Sequence, residues 1–303
     1  MYLKSILHRV SGRRFKPLRP KTRWQDNPQF SSYIKEQISP DYEAGVHGAI
    51  RAATGNKSLQ HGISVGSGTG DNERGLIAAG LVESFDLFEV SKDRIAQSKA
   101  LAEKAGVSDR LTHHLDDALQ RDFAGTYDLV YWEHSLHHMF DVDHALAWSV
   151  RALKPSGLLL VNDYVGPTRL QWRRQEVSLV RQFLRQNESI LDVNPRRVRH
   201  GSAFRRLKQF LRDPSEAPQS DRIEAAYERH TGAKIKALGG AVIHLGGGFL
   251  NGAEDKDPMV HDRMIALDQA ARDQGLSHFA FGLWCKPEQS LEENSAAKLQ
   301  RRR

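Results

Sequence analysis

Ile63-Ser64-Val65-Gly66-Ser67-Gly68-Thr69-Gly70 decides how this chain is read. A short strand-like run leads into a turn with glycine at every second position. Gly66, Gly68 and Gly70 can take positive φ and bring the backbone close to a ligand, because no Cβ stands in the way. Such a turn is a candidate nucleotide cradle, and the order of the elements beyond it gives it weight.

Downstream, strands and helices alternate, the signature of a parallel sheet with crossover helices. The first strand is Ile63 to Val65, with a helix after Gly70. Ser84 to Phe88 forms the second and ends at Glu89, and Ser91 can cap a helix running to Gly106. Leu111 to Leu115 is the third, followed by Asp116-Asp117. The fourth, Tyr127 to Trp132, runs into Glu133-His134-Ser135-Leu136-His137-His138. A helix from Asp141 to Lys154 carries Val142, Leu146, Val150 and Leu153 on one face, Pro155-Ser156-Gly157 ends it, and Leu158 to Val161 is the fifth strand. Upstream, Ser31 to Thr54 reads as helical. From Asp163 to Thr231 the rhythm breaks into an excursion with helical periodicity around Leu170, Val177, Val180 and Leu184, then around Phe204, Leu207 and Leu211. Sheet character resumes at Lys234 to Leu238, a helix covers Asp262 to Gly275, and His278 to Trp284 is the final strand.

Strand, glycine turn, helix, strand, acid is a nucleotide-binding half-fold in which Glu89, about 20 residues beyond the turn, meets ribose hydroxyls. A dinucleotide fingerprint wants G-x-G-x-x-G, but its last position here is Asp71. The G-x-G-x-G that stands here ends one residue early, which argues against a nicotinamide or flavin.

With Val65-Gly66-Ser67-Gly68-Thr69-Gly70, Glu89, Asp117-Ala118 and Leu153-Lys154-Pro155-Ser156-Gly157 in order, the chain resembles the class I, Rossmann-like methyltransferases that use S-adenosylmethionine. The resemblance covers roughly residues 31–163, with weaker agreement in the last strands. It implies an α/β fold of about seven mostly parallel strands, helices on both faces, and a helical lid inserted between strands five and six. It implies further that Gly66, Ser67, Gly68 and Gly70 wrap the cofactor, that Glu89 binds its ribose, and that Asp117, with Asp116 as stand-in, meets the adenine amino group. Glu133, at the end of strand four, completes the cofactor set. One departure stands out: the family often has Asp or Glu two residues before the first glycine, contacting the amino-acid end of the cofactor, and here that position is Ser64.

Methyl transfer from a sulfonium mainly requires alignment and exclusion of water, with a general base when the acceptor still holds a proton. Open parallel sheets place ligands at the carboxyl ends of their strands. His137 and His138 are the candidate bases there, against a packing role for the pair, and Asp163 is the third, against a capping role. No metal is expected, because adjacent histidines on a helix point apart and no third ligand is evident. Tyr164, Arg169, Trp172 and His244 are candidate acceptor contacts, with Trp172 read as core ahead of substrate platform and His244 equally readable as a turn residue. No Asn-Pro-Pro-Tyr follows strand four, and Cys285 lies on the last strand, so amino methylation of bases or glutamine and cytosine-C5 chemistry are disfavoured. Oxygen methylation of a small-molecule or glycan-type acceptor is the favoured reading.

Composition adds the setting. A single cysteine in 303 residues points to a reducing compartment, with the cytoplasm as expected location, and no apolar run approaches membrane-spanning length. The formal +7 is uneven. Met1 to Arg23 holds eight Lys/Arg and no acid, and Arg169 to Arg212 holds twelve against three acids, so the rest of the chain is net acidic. Residues 1–30 therefore read as a basic arm, 31–290 as one domain with its lid at 163–232, and 291–303 as a polar tail. The basic 169–212 segment keeps RNA-directed methylation alive, and also an anionic acceptor or, with the arm, a membrane surface. A non-catalytic S-adenosylmethionine-binding protein is the remaining alternative. Oligomeric state is open.

Overall fold

The computed structural model describes residues 23–39, 45–191 and 193–288. The bulk of the expected arm, residues 1–22, and the tail from 289 lie outside the described residues. Helix α1 (Pro28–Ile38) starts where Asn27 Oδ1 accepts from the Gln29 and Phe30 amides and Pro28 supplies the fixed φ of a first turn. It buries Phe30, Tyr33, Ile34 and Ile38. The single helix expected over Ser31 to Thr54 is two. Ser39 ends α1 in extended conformation and Gly45, at φ +90°, opens α2 (Val46–Thr54), so one continuous helical path is impossible.

Seven strands then form one sheet: β1 (Leu59–Val65), β2 (Val82–Phe88), β3 (Leu111–His114), β4 (Tyr127–Glu133), β5 (Leu153–Tyr164), β6 (Lys236–Gly240) and β7 (Ser277–Cys285). Their order is β3-β2-β1-β4-β5-β7-β6, with β1 to β5 parallel and β7 antiparallel to both neighbours. The crossovers are α3 (Asp71–Ala78), α4 (Lys92–Ala105) and α5 (Val142–Ala152). Ser91 caps α4 through the Arg94 amide, as expected. The two-residue alternation of strands splits the core: Leu129 and Tyr131 of β4 face one cluster with α1, whereas Val130 and Trp132 face a second with α5.

β5 is longer than expected, from Leu153 to Tyr164. The Lys154-Pro155-Ser156-Gly157 stretch joins the strand through a register irregularity between Tyr127 and Leu129 rather than ending a helix outside it. Past Tyr164 come α6 (Arg174–Gln186), α7 (Ala203–Arg212), α8 (Ile223–Thr231), α9 (Ala241–Gly246) and α10 (Val260–Asp273). The stretch expected as a lid is only partly one. α6 buries Val177, Val180, Phe183 and Leu184 in the first core, and α8 buries Ile223, Ala226 and Tyr227 in the second. α7 alone among these three buries nothing. Among the described residues, no helix is long and apolar enough to cross a membrane.

Candidate active site

β1 lies between β2 and β4, so the turn after it opens at the carboxyl edge of the sheet, where ligands of parallel sheets bind. Gly66, Gly68 and Gly70 have φ of +72°, +60° and +69°. Two of them are fixed by space as well: a Cβ on Gly66 would stand 2.9 Å from Ser135 Cβ, and one on Gly70 2.8 Å from Ser98 Oγ. The turn is tied to β2, with the Gly66 and Ser67 amides donating to Phe88 O. Buried Glu89 reaches back to it, its Oε2 accepting from the Gly68 amide at 3.0 Å and its Oε1 from the Ser91 amide at 2.8 Å. Each carboxylate oxygen keeps a second lone pair, the capacity a ribose diol needs. Past β3, Asp117 Oδ1 caps the turn at Leu119, whereas Asp116 is engaged by Arg121 through Nε and a terminal nitrogen. The two aspartates are thus not equivalent, and Asp117 is the less committed.

Ser64 is not simply a lost acid. Its Oγ donates to Glu73 Oε1 at 2.5 Å, and Glu73, from the first turn of α3, is buried with Oε2 unpartnered. Burial pushes the Glu73 carboxyl up to about 7. Glu133 has the same pattern: Tyr131 donates to Oε2 and Asn162 to Oε1, and burial, with the charge of Asp163 adding, raises it to about 8. Glu73, nine residues from Ser64, offers no local sequence signal for this contact.

At the ends of β4 and β5 the three expected catalytic residues come together in unequal roles. Asp163 is fully buried. Its Oδ2 accepts from the Ser135 and Leu136 amides at 3.0 and 2.6 Å, and its Oδ1 from the Tyr164 amide at 2.6 Å and His137 Nδ1 at 2.5 Å. So committed, Asp163 cannot be the base facing an acceptor; it stands behind the imidazole. Burial opposes charge on His137, but the negative charge and hydrogen bond of Asp163 outweigh it and hold the ring above its ordinary pKa. With Nδ1–H directed at Asp163, the neutral ring carries its lone pair on Nε2. His138 gives Nδ1 to Ser215 O at 3.0 Å, and burial followed by the charge of His137 lowers its pKa.

A further group, which the sequence did not single out, joins the two histidines from the excursion. Glu216 Oε1 lies 3.9 Å from His137 Nε2, and one ligand-type atom from each of His137, His138 and Glu216 falls within 4.8 Å of the others. The histidine rings do not point apart: they stand 4.1 Å centroid to centroid at 39°. Two imidazoles and a carboxylate can relay a proton or, drawn closer, hold a divalent cation.

The expected acceptor contacts form an aromatic group beside this one. Tyr164 is buried, donates its hydroxyl to Pro167 O, and meets His137, His244, His278 and Phe279 edge-on. Trp172 stacks on His278 at 5.2 Å and meets His244 at 5.0 Å, a packing role for at least one of its faces. Burial drives His244 well below its ordinary pKa, keeping it neutral. Arg169 is drawn away, donating to Pro214 O and lying over the Phe210 ring. His278 and Phe279 of β7 are the members that the sequence did not single out.

Residues 63–159, from the glycine turn to β5, match the family model described as a methyltransferase domain. That stretch is a methyltransferase domain by this match, in keeping with the resemblance to the class I, Rossmann-like methyltransferases that use S-adenosylmethionine. Over 118 residues the chain is 28% identical to 27-O-demethylrifamycin SV methyltransferase of Amycolatopsis mediterranei (strain S699), a match covering 39% of the chain and 34% of that relative, so the chain spans about a third of the relative's length. Among solved structures it is similar to phosphoethanolamine N-methyltransferase 2 of Haemonchus contortus (15% identity, TM-score 0.49, covering 90% of this chain and 61% of that one). It is also similar to the [4+2]-cyclase SpnF (17% identity, TM-score 0.46, 80% of each chain). The residues present fit the cofactor: three positive-φ glycines, Glu89 with accepting capacity turned to the cradle, and Asp117 with a carboxylate oxygen to spare at the end of β3.

Proposed function

We propose that the chain transfers the methyl group of S-adenosylmethionine to an oxygen of a small-molecule or glycan-type acceptor, with His137 taking the hydroxyl proton. The observation that carries this reading is the His137–Asp163 pair at the carboxyl ends of β4 and β5. An amine acceptor can react through a free lone pair, whereas a hydroxyl gains nucleophilicity as its proton leaves. A carboxylate-backed imidazole suits the second task, since Asp163 fixes the tautomer and stabilises the imidazolium that forms.

S-adenosylmethionine supplies an electrophilic methyl on a positively charged sulfur. Gly66, Gly68 and Gly70 would bring backbone to it, Glu89 would hold its ribose and Asp117 its adenine. On the acceptor side, Nε2 of His137 would receive the hydroxyl proton, and Glu216, 3.9 Å away, would balance the new positive charge. Tyr164, His244 and Phe279 line an apolar wall that keeps water from the reacting atoms.

The test is transfer of isotope-labelled methyl from S-adenosylmethionine to a panel of hydroxyl and amine acceptors. Label in an acid- and base-stable ether supports the reading. Label confined to amines overturns it.

A further inference from the structure

α7 is built inside out. Taken at 100° per residue, Ala203, Phe204, Leu207, Phe210 and Leu211 fall within an arc of about 120°, the width of a face that normally seats on a core. Here that face is open: Phe204 is 76% exposed, Leu207 55%, Phe210 45% and Leu211 67%. The more covered positions are Arg205 and Gln209 on the opposite side. The orientation is anchored by polar contacts. Arg205 donates to Arg199 O at 2.8 Å, the Ser202 amide donates to Gln171 Oε1, and Gly201 N donates to Trp172 O. Four large apolar side chains in one patch exceed the scattered exposure that an ordinary surface carries.

The chemistry of the rim selects the occupant. Arg206 and Lys208 border the stripe on either side, and Arg212, Arg196, Arg197 and Arg199 lie exposed nearby. Between residues 193 and 212 there are seven Lys/Arg and no acid. A second copy of this helix would bring the same positive rim against itself. A nucleic-acid backbone would match the charge but leave Phe204, Leu207 and Leu211 in water. A bilayer with anionic headgroups satisfies both, taking an apolar stripe into its interface while its phosphates meet the flanking cations.

We propose that α7 is a membrane-docking helix that lies in the plane of an anionic lipid surface with Phe204, Leu207, Phe210 and Leu211 inserted. Arg169, the cation over Phe210, sits in the turn that leads out of β5, so docking sets the acceptor side of the cleft toward the bilayer.

Flotation of the full chain with vesicles of phosphatidylcholine alone, or of phosphatidylcholine mixed with phosphatidylglycerol, tests this. The protein should float with the mixed vesicles only. Phe204→Ser/Leu211→Ser and Arg206→Glu/Lys208→Glu should each weaken that binding at least tenfold, a factor worth about 1.4 kcal/mol. Both pairs are exposed, and unchanged far-ultraviolet dichroism and S-adenosylhomocysteine affinity would show that the variants are folded. Wild-type protein that stays with the lipid-free fraction overturns the proposal. So does binding that survives the Phe204→Ser/Leu211→Ser change, which would assign it to another basic segment. Concentration-dependent self-association that the same change abolishes, without vesicle binding, would give the face to a second copy and overturn it equally.

Discussion

Ser64 and Glu73 share one hydrogen bond, at 2.5 Å, that puts a carboxylate from α3 beside the strand position where the class I methyltransferases often carry an acid. The carboxylate beside Ser64 comes from α3, and it lies buried with one oxygen unpartnered.

That burial has a pH signature. Glu73 and Glu133 rise from an ordinary 4.5 to about 7 and about 8, so the fold binds their protons more tightly than the unfolded chain does. Their stabilising contribution is complete below about pH 4.5 and is lost as pH rises through 7 and 8. Glu73→Gln, which keeps the shape and removes the charge, should raise the stability of the ligand-free protein at pH 8 by about 3 kcal/mol and flatten its pH dependence between 5 and 8. Thermal melts across that range check this, and an unchanged or lower Tm at pH 8 would show that Glu73 is compensated.

His137→Ala should lower turnover by about 10² to 10⁴ with little change in cofactor affinity. In the wild type, the rate should fall as pH drops through a value above the ordinary histidine pKa, because the base acts only when neutral and Asp163 holds it up. Asp163→Asn should slow the reaction and move that inflection down. Dialysis against a chelator should leave turnover unchanged, which separates a proton relay at His137, His138 and Glu216 from a cation held by the same three groups.

The glycines of the turn differ in what they tolerate. Gly66→Ala meets both a left-handed φ and Ser135 Cβ at 2.9 Å, so it should cost about 1–3 kcal/mol of stability and disturb the cradle. At Gly68 nothing lies within 4 Å of an added Cβ, so Gly68→Ala should cost only its backbone strain, about 1 kcal/mol. Denaturant unfolding of the pair measures the difference.

The parallel core of the fold was legible because its signals are local: alternating strands, Ser91 as a cap, glycines at 66, 68 and 70. The antiparallel pairing of β7 was not, since strand direction depends on where the chain returns after α10. The length of β5 was hidden by Pro155 and Gly157, which read as a helix stop but lie within the strand. At the site, residues on strand ends were legible, whereas Glu73, Glu216 and His278 reach it from elements whose packing no local pattern announces. Phe204, Leu207 and Leu211 show the complementary failure, because helical periodicity reveals an apolar face without revealing which way it points.

The cofactor assignment is tested most directly by calorimetry with S-adenosylhomocysteine on the wild type and on Glu89→Ala. The glycine turn and Glu89 predict saturable binding by the wild type, weakened by about 1–3 kcal/mol when the buried carboxylate is removed. No heat of binding from the wild type at high micromolar concentration would contradict it.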